Sequence, residues 1–309
     1  MKKWIWMFIG LLVLSGLFSL PFFIQKKHKA VANEQPVVCD VMISVEGQAK
    51  PIPLEEYLIG VVAGEMPVSF HEEALKAQAI AARTYVLKST NGGKTPISPT
   101  VLRQVYLDEE QRMSKWGDYF SGNESKLQEI VEETKGIVLT YQGELITAMF
   151  HSMSNGQTES AEGFSGNEVP YLITVSSSWE KELPNFTQKK EMTLQAWQTI
   201  FGARFSSNSF QNLKLERNNS GRVARMIADA GEWDGREVRE LLDLRSTDFD
   251  ISFNKEKGLV IVTTHGYGHG VGMSQYGADA MAKEGKDAKE ILSHYYQSVE
   301  ISVWKGCLK

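Results

Sequence analysis

A single carboxylate, Glu65 in GEMPVSF (residues 64–70), closes an apolar segment just before Met66-Pro67. It stands four residues past Val61 and seven past Leu58, so on a helix it continues the buried stripe. Pro67 forces the chain out of the helix and leaves Glu65 at its C-terminal end, where the macrodipole disfavours negative charge. Burial and dipole both raise a carboxyl pKa, which is what a general acid near neutrality requires. A plainer role stays open, namely an ion pair with a cation such as Arg83. Arg83 shares a helix face with Glu72, Lys76, Ala79 and Val86. It fits either a solvated face or a cleft wall, where it would hold a sugar carboxylate or Glu65 itself.

Two polar stretches add candidate binding groups. In THGYGHGVGMSQYGA (264–278), four glycines alternate with Tyr267, His269 and Val271 before Ser274, Gln275 and Tyr276 open a helix. Glycines this dense let a backbone approach a ligand or another strand closely. Gln275 offers amide hydrogen bonds and Tyr276 an aromatic face, both suited to a sugar. The phosphate fingerprint G-x-G-x-x-G is not matched, since Val271 and Met273 stand at the third-glycine positions. The other stretch, HSMSNGQT from His151, brings Ser152 and Ser154 as rim groups, or forms a plain polar turn at Asn155-Gly156. A serine nucleophile with His269 as base lacks both a G-x-S-x-G elbow and an orienting acid. His151, His265 and His269 could supply three metal ligands, but the pair in the glycine loop lacks the one-face spacing of H-E-x-x-H, and no metal is expected.

The elements that must carry these groups follow from periodicity. Residues 53–64 and 69–88 read as helices, the second opened by a capping box with Ser69 at N-cap and Glu72 at N3. A third helix is expected at 125–135, and a hairpin turning at Gln142-Gly143 within GIVLTYQGELITAMF. Further helices are expected at 193–201, 234–242, 272–284 and 287–294, and strands at 212–217, 222–228, 248–253 and 259–264. The result is an α+β class, with 188–256 as a possible inserted subdomain.

The N-terminus predicts a membrane anchor. Residues 4–24 form an uncharged run of 21 residues, long enough as a helix to span about 30 Å of hydrocarbon. Pro21-Phe22-Phe23-Ile24 makes a poor cleavage site, which favours a retained anchor over a signal peptide. Residues 1–3 would be a short cytoplasmic tail, 25–38 a polar tether and 39–309 the extracytoplasmic domain. Lysines flank the run on both sides, so charge barely votes on orientation.

The first 29 residues hold five lysines and no acid, so a net charge of −5 for the chain leaves −10 on the rest. A domain this acidic is a poor partner for nucleic acid and would not steer an anionic wall polymer toward itself. Cys39 and Cys307 bracket the domain; in an oxidising compartment they either pair or remain two thiols.

Three stretches together carry a resemblance. L-x-x-Y-L-x-G-V-V-x-x-E-M-P with A-x-x-A-Q-A-I-A-A-R-T-Y, then H-S-x-S, then H-G-x-G-H-G-x-G-M-S-Q-Y-G-A, in this order from about residue 39 onward, resemble the stage II sporulation protein D family, whose relatives include amidase-enhancer proteins. The resemblance implies a lytic transglycosylase acting on peptidoglycan glycan strands at the engulfing membrane of a sporulating cell. It also implies two anchored partners, stage II sporulation proteins M and P. On this reading Glu65 matches the catalytic acid and Arg83 the cleft arginine. The chain departs from many relatives at Asn155, where they carry Gly, and it lacks the cysteines with which some bind zinc near the H-S-x-S loop. A non-catalytic glycan-binding enhancer, and a muramidase with a second carboxylate within residues 100–190, are the competing expectations.

Overall fold

The computed structural model describes residues 41–100 and 104–305. The expected anchor at 4–24, its flanking segments, Cys39 and Cys307 lie outside the described residues, among which no helix is long and apolar enough to cross a membrane.

The architecture is mixed α+β. Strands β1 (Met42–Ile43) and β2 (Ile52–Pro53) pair antiparallel and lead into α1 (Leu54–Glu65) and α2 (Glu72–Ser89). Helices α3 (Glu109–Trp116) and α4 (Phe120–Glu133) follow as a helical hairpin. Strand β3 (Ile137–Tyr141) then turns at Gln142-Gly143 into β4 (Glu144–Leu145). The left-handed turn it requires shows in φ values of 52° and 81° at those two residues. Short strands β5 (Phe150–His151), β6 (Gly156–Gln157) and β7 (Ser176–Ser177) frame the HSMS loop, with α5 (Ala161–Ser165) between the last two.

A second layer begins at β8 (Thr187–Thr193) and α6 (Leu194–Phe201). It continues through β9 (Lys214–Arg217), β10 (Val223–Ala228), β11 (Gly231–Asp234) and α7 (Gly235–Leu241), and closes with β12 (Phe249–Asn254) and β13 (Leu259–His265). Its sheets run β12-β13-β8 and β11-β10-β9, all antiparallel. The chain then returns through β14 (Met273–Ser274), α8 (Gln275–Lys283), α9 (Ala288–Tyr295) and β15 (Glu300–Val303), which pairs with β3.

Burial divides the same way. One core is built around α2, whose alanines let α1, α8, α9 and β3 pack closely against it; Ala74, Ala77, Ala79, Ala81 and Ala82 are all essentially buried. A separate aromatic core gathers Trp197, Phe201, Phe205, Met226 and Phe249, from residues between 192 and 262. Within the first core β14 lies parallel to β5, with Met273 opposite Phe150 and Ser274 opposite His151.

Two local expectations are corrected. Helix α2 starts at Glu72 and not at Ser69, because Val68–Phe70 is spent on a turn closed by the Phe70 N–H on the Pro67 carbonyl. His71 is the cap, with its Nδ1 accepting from the Glu73 N–H at 3.3 Å. Helix α3 was not expected from the charged run DEEQRMSKW, which has no broad apolar stripe; a capping box between Asp108 and Gln111 holds its start.

Candidate active site

The carboxyl of Glu65 stands at the last position of α1, half-buried. Its surroundings follow from two glycines one turn apart, Gly60 and Gly64. A Cβ on Gly60 would lie 2.4 Å from the Tyr106 ring, and one on Gly64 would lie 2.9 Å from Val105. Their absence lets segment 104–107 lie directly on α1. The Leu107 N–H donates to the Gly60 carbonyl at 3.1 Å, and Tyr57 stacks on Tyr106 with centroids 5.2 Å apart. Laid down this way, the Val105 N–H donates to Glu65 Oε1 at 2.7 Å.

The second carboxylate oxygen faces α8. Gln275 Nε2 lies 3.4 Å from Glu65 Oε2 and 3.4 Å from Oε1 of Gln78, a fully buried residue of α2 whose own Nε2 has no partner. Burial pushes the Glu65 pKa up, while the Val105 N–H and the Gln275 amide pull it part of the way back. Lys115 of α3 donates to the Ala63 carbonyl at 2.7 Å, offering a cation to the end of α1, which carries no basic residue in its last turn. Tyr276 packs edge-on to Phe70, with centroids 5.0 Å apart. Glu65, Gln275 and Tyr276 thus meet from opposite ends of the sequence.

The other expected site residues are placed differently. Arg83 is fully buried and grips Glu55 through Nη2 at 2.6 Å and Nε at 3.1 Å, with further donors on the Ile137 and Val131 carbonyls. Glu55 lies ten residues before Glu65 on α1, about 15 Å along its axis. Arg83 therefore braces the far end of that helix; neither the solvated face nor the cleft wall describes it. Ser154 and Ser274, expected at a substrate rim, are buried with 0 % exposure. Ser154 donates through its backbone N–H, and Ser274 through Oγ, to the carboxylate of Glu180. Ser274 Oγ also caps α8 by accepting from the Gly277 N–H at 3.3 Å, which sets Gln275 at the start of that helix. Ser152 acts through its backbone, its carbonyl accepting from the Tyr276 N–H at 3.1 Å.

His151 and His269 lie against each other, with ring centroids 5.8 Å apart. Val271 holds both: its carbonyl lies 3.3 Å from His151 Nδ1, and its N–H donates to His269 Nδ1 at 3.0 Å. Burial drives both pKa values down, that of His269 to about 4, so both rings are neutral at neutral pH. His265 does not join them; it packs on Phe186 and faces Thr187 and Asp250. No three metal-binding side chains converge among the described residues. The two rings, each with Nδ1 engaged, do not make the three-histidine set. Tyr267 is the exposed member of its loop, 49 % accessible, with the Arg245 guanidinium 5.3 Å from its ring centre.

Two features were missed in the sequence. The Val105 amide is a backbone group and leaves no residue-type signal, although the Gly60/Gly64 spacing marks the close approach. Glu180 sits in SSSWEKELP without any motif, and only its burial reveals it.

Comparison with known proteins places the chain in a family. Residues 45–141 match the family described as stage II sporulation protein, a span that includes Glu65 and its Val105 contact. The stage II sporulation protein D of Bacillus amyloliquefaciens is 40% identical over 284 residues, covering 90% of this chain and 82% of the relative. The chain belongs to the stage II sporulation protein D family. The Bacillus subtilis protein of the same name is 39% identical over 283 residues, covering 89% of this chain and 82% of the relative. A more distant relative, the amidase enhancer of Bacillus subtilis, is 30% identical over an alignment of 298 residues that covers 79% of this chain and 40% of that protein. Family membership thus extends through the second layer and the HGYGHG loop, beyond the span of the family match.

Proposed function

We propose that the protein is a membrane-anchored lytic transglycosylase that cuts peptidoglycan glycan strands between N-acetylmuramic acid and N-acetylglucosamine during sporulation. The observation that carries this reading is one half-buried carboxyl, Glu65, with a raised pKa and a hydrogen-bond partner on each oxygen. As the acid, Glu65 donates its proton to the glycosidic oxygen while the bond from that oxygen to muramoyl C1 breaks. The resulting carboxylate is held by the Val105 N–H and the Gln275 amide. It then takes the proton from the C6 hydroxyl as that oxygen attacks C1, closing a 1,6-anhydro ring and restoring the acid. One group serves both steps, and no water is consumed.

A hydrolase would need a second carboxylate with access to the sugar. In the stretch 100–190, Glu159 and Glu180 are buried and occupied by neutral hydrogen-bond donors. These two are therefore not available as a muramidase base, and the ends of digested strands test the exposed carboxylates of the stretch. In the proposed arrangement residues 4–24 anchor the chain in the engulfing membrane, the domain faces the wall, and stage II sporulation proteins M and P are its partners. Tyr276, backed by the buried Phe70, and Tyr267 offer aromatic faces to the strand.

The likeness to the amidase enhancer supports one other reading, a glycan-binding protein that assists an amidase without cutting. Mass spectrometry of digested strands separates the possibilities. Anhydro ends are expected; reducing ends would indicate a hydrolase, and intact strands the enhancer.

A further inference from the structure

A cavity lies away from Glu65, which is not among its lining residues. It has a volume of 610 Å³ and lies beside His269, between α5, α7 and the start of β10. Its floor holds Glu159, Asn218, Arg222, Thr247 and His269, of which Arg222 is 2 % and Glu159 4 % exposed.

Arg222 is short of partners. A guanidinium has five N–H donors, yet Nη1 and Nη2 each reach only the Gln157 carbonyl, at 3.2 Å, and Nε has no partner. Asp248, which pairs with Arg217, and Glu159 act on Arg222 only through space, and neither is in contact with it; Glu159 is engaged elsewhere. That carboxylate is occupied by the Ser160 N–H at 2.9 Å, Asn218 Nδ2 at 2.6 Å and Ser220 Oγ at 2.7 Å, and it forms no ion pair with Arg222. Room for the guanidinium depends on Gly270, where a Cβ would come within 2.4 Å of Nη2. A buried guanidinium with carboxylates nearby but none in contact is under-satisfied, so such a site is suited to receive a contacting partner from outside.

The rim has the opposite sign. Glu162, Glu237 and Glu240 are exposed and line the mouth, together with Arg236, which stacks 4.4 Å over Phe164 and donates to the Phe164 carbonyl at 2.9 Å. A polyanion would meet these carboxylates before reaching Arg222. A short ligand with an inner anion and an outer cation meets no such conflict.

We propose that this cavity binds an α-amino-acid end, with ammonium and carboxylate on one carbon. The carboxylate takes the free donors of Arg222, and the ammonium faces Glu162, Glu237 and Glu240. Its natural source, which rests on the peptidoglycan reading above, is the free end of a diamino acid in a peptide stem. His269 and the HGYGHG loop link this cavity to the Glu65 site. Gln275 follows His269 by six positions, a path of at most about 22 Å.

The test is calorimetric titration of the full-length protein in detergent with meso-diaminopimelate, against pimelate, which lacks the amines, and 1,5-diaminopentane, which lacks the carboxylates. Saturable binding of diaminopimelate is expected, with each control weaker by about tenfold or more, the loss that follows from removing one charge-assisted hydrogen bond. Arg222→Gln should abolish the preference. Because that variant alters a buried group, the exposed pair Glu237→Gln/Glu240→Gln is the second arm. It should weaken diaminopimelate and leave pimelate unchanged. Equal binding of pimelate and diaminopimelate would overturn the assignment in favour of a plain anion site, and absence of saturation would overturn the site itself. Glu65→Gln should bind diaminopimelate like the wild type. Failed titration with anhydro ends still formed counts against this site alone, and intact binding without anhydro ends counts against the transglycosylase alone.

Discussion

Glu65 and Glu180 are both carboxyl groups pushed to higher pKa by burial, and they lie on either side of the same few residues of the GMSQY motif. Glu180 is completely buried and receives Ser274 Oγ, Ser177 Oγ and the Ser154 N–H. Glu65 is half-exposed and has one close donor, the Val105 N–H, and one distant one. A raised pKa alone would rank them together. Access and unused hydrogen-bonding capacity separate them. Glu180 ties the HSMS loop to the start of α8, while Glu65 keeps an oxygen for a substrate.

The largest expected effect breaks the pair on the Glu65 side. Glu65→Gln retains shape and packing but cannot transfer a proton, so strand cleavage should fall by roughly 10²- to 10⁴-fold. The melting temperature should stay level or rise, since a neutral amide is easier to bury than a carboxylate. Cleavage at near wild-type rate by this variant would refute the acid assignment. On the other side, Glu180→Ala leaves the buried Ser154 N–H without an acceptor and reduces the Ser274 and Ser177 hydroxyls to the Ser152 carbonyl at 3.4 Å and the Tyr295 hydroxyl at 2.8 Å. It should lower unfolding free energy by about 3 kcal/mol or more in denaturant melts. A change below about 1 kcal/mol would show that the serines find other partners and that Glu180 is no tie.

The same contrast shows what the sequence made legible. Glu65 could be found because its helix has period 3.6 and ends at a proline, and Gln275 because it stands in a dense glycine motif. Most helices and strands after residue 130 also followed from periodicity and turn chemistry. Arg83, expected on a solvated face or, by resemblance, in a cleft wall, fits neither, because a helical face shared with Glu72 and Lys76 looks accessible until its partner is known. That partner, Glu55, comes from another helix, 28 residues earlier. Ser154 and Ser274 looked like rim groups because hydroxyls next to histidines suggest a cleft; whether they face it depends on Glu180, which no local pattern announces. The Arg222 cavity was invisible for a related reason. It is built from α5, α7 and β10, whose residues carry no shared spacing.

A smaller effect is the pH dependence of stability. With its folded pKa raised, Glu65 in the native state keeps a proton that the unfolded chain has already lost. Between the ordinary glutamate value and the raised one the native state therefore binds more protons, and stability falls as pH rises through that window, then levels off. Glu65→Gln does not titrate. The difference in melting temperature between variant and wild type should therefore grow in the variant's favour as pH rises from about 4, and level off once the raised value is passed. A difference independent of pH would mean that Glu65 titrates alike in both states, as a fully solvated carboxylate would.

The smallest expected effect tests the weaker of the two contacts to Glu65. Gln275 Nε2 is 3.4 Å from the carboxylate and is shared with Gln78 Oε1, so it stabilises the anion only modestly. Gln275→Leu removes that donor and adds apolar surface at the same place. Both changes disfavour the charged form, so the Glu65 pKa should move further upward. In the proposed reaction the acid form must be present when the strand binds. The alkaline limb of kcat/KM should accordingly shift to higher pH, while kcat at the optimum falls because the carboxylate formed after proton transfer is less well held. Glu180→Ala should not move this limb, since it acts through folding and not through the ionisation of Glu65. An alkaline limb that stays in place in Gln275→Leu would leave Val105 as the group that sets the acid. A limb that moves in both variants would show the two carboxyl groups to be coupled through α8, and the division between a working acid and a structural one would have to be redrawn.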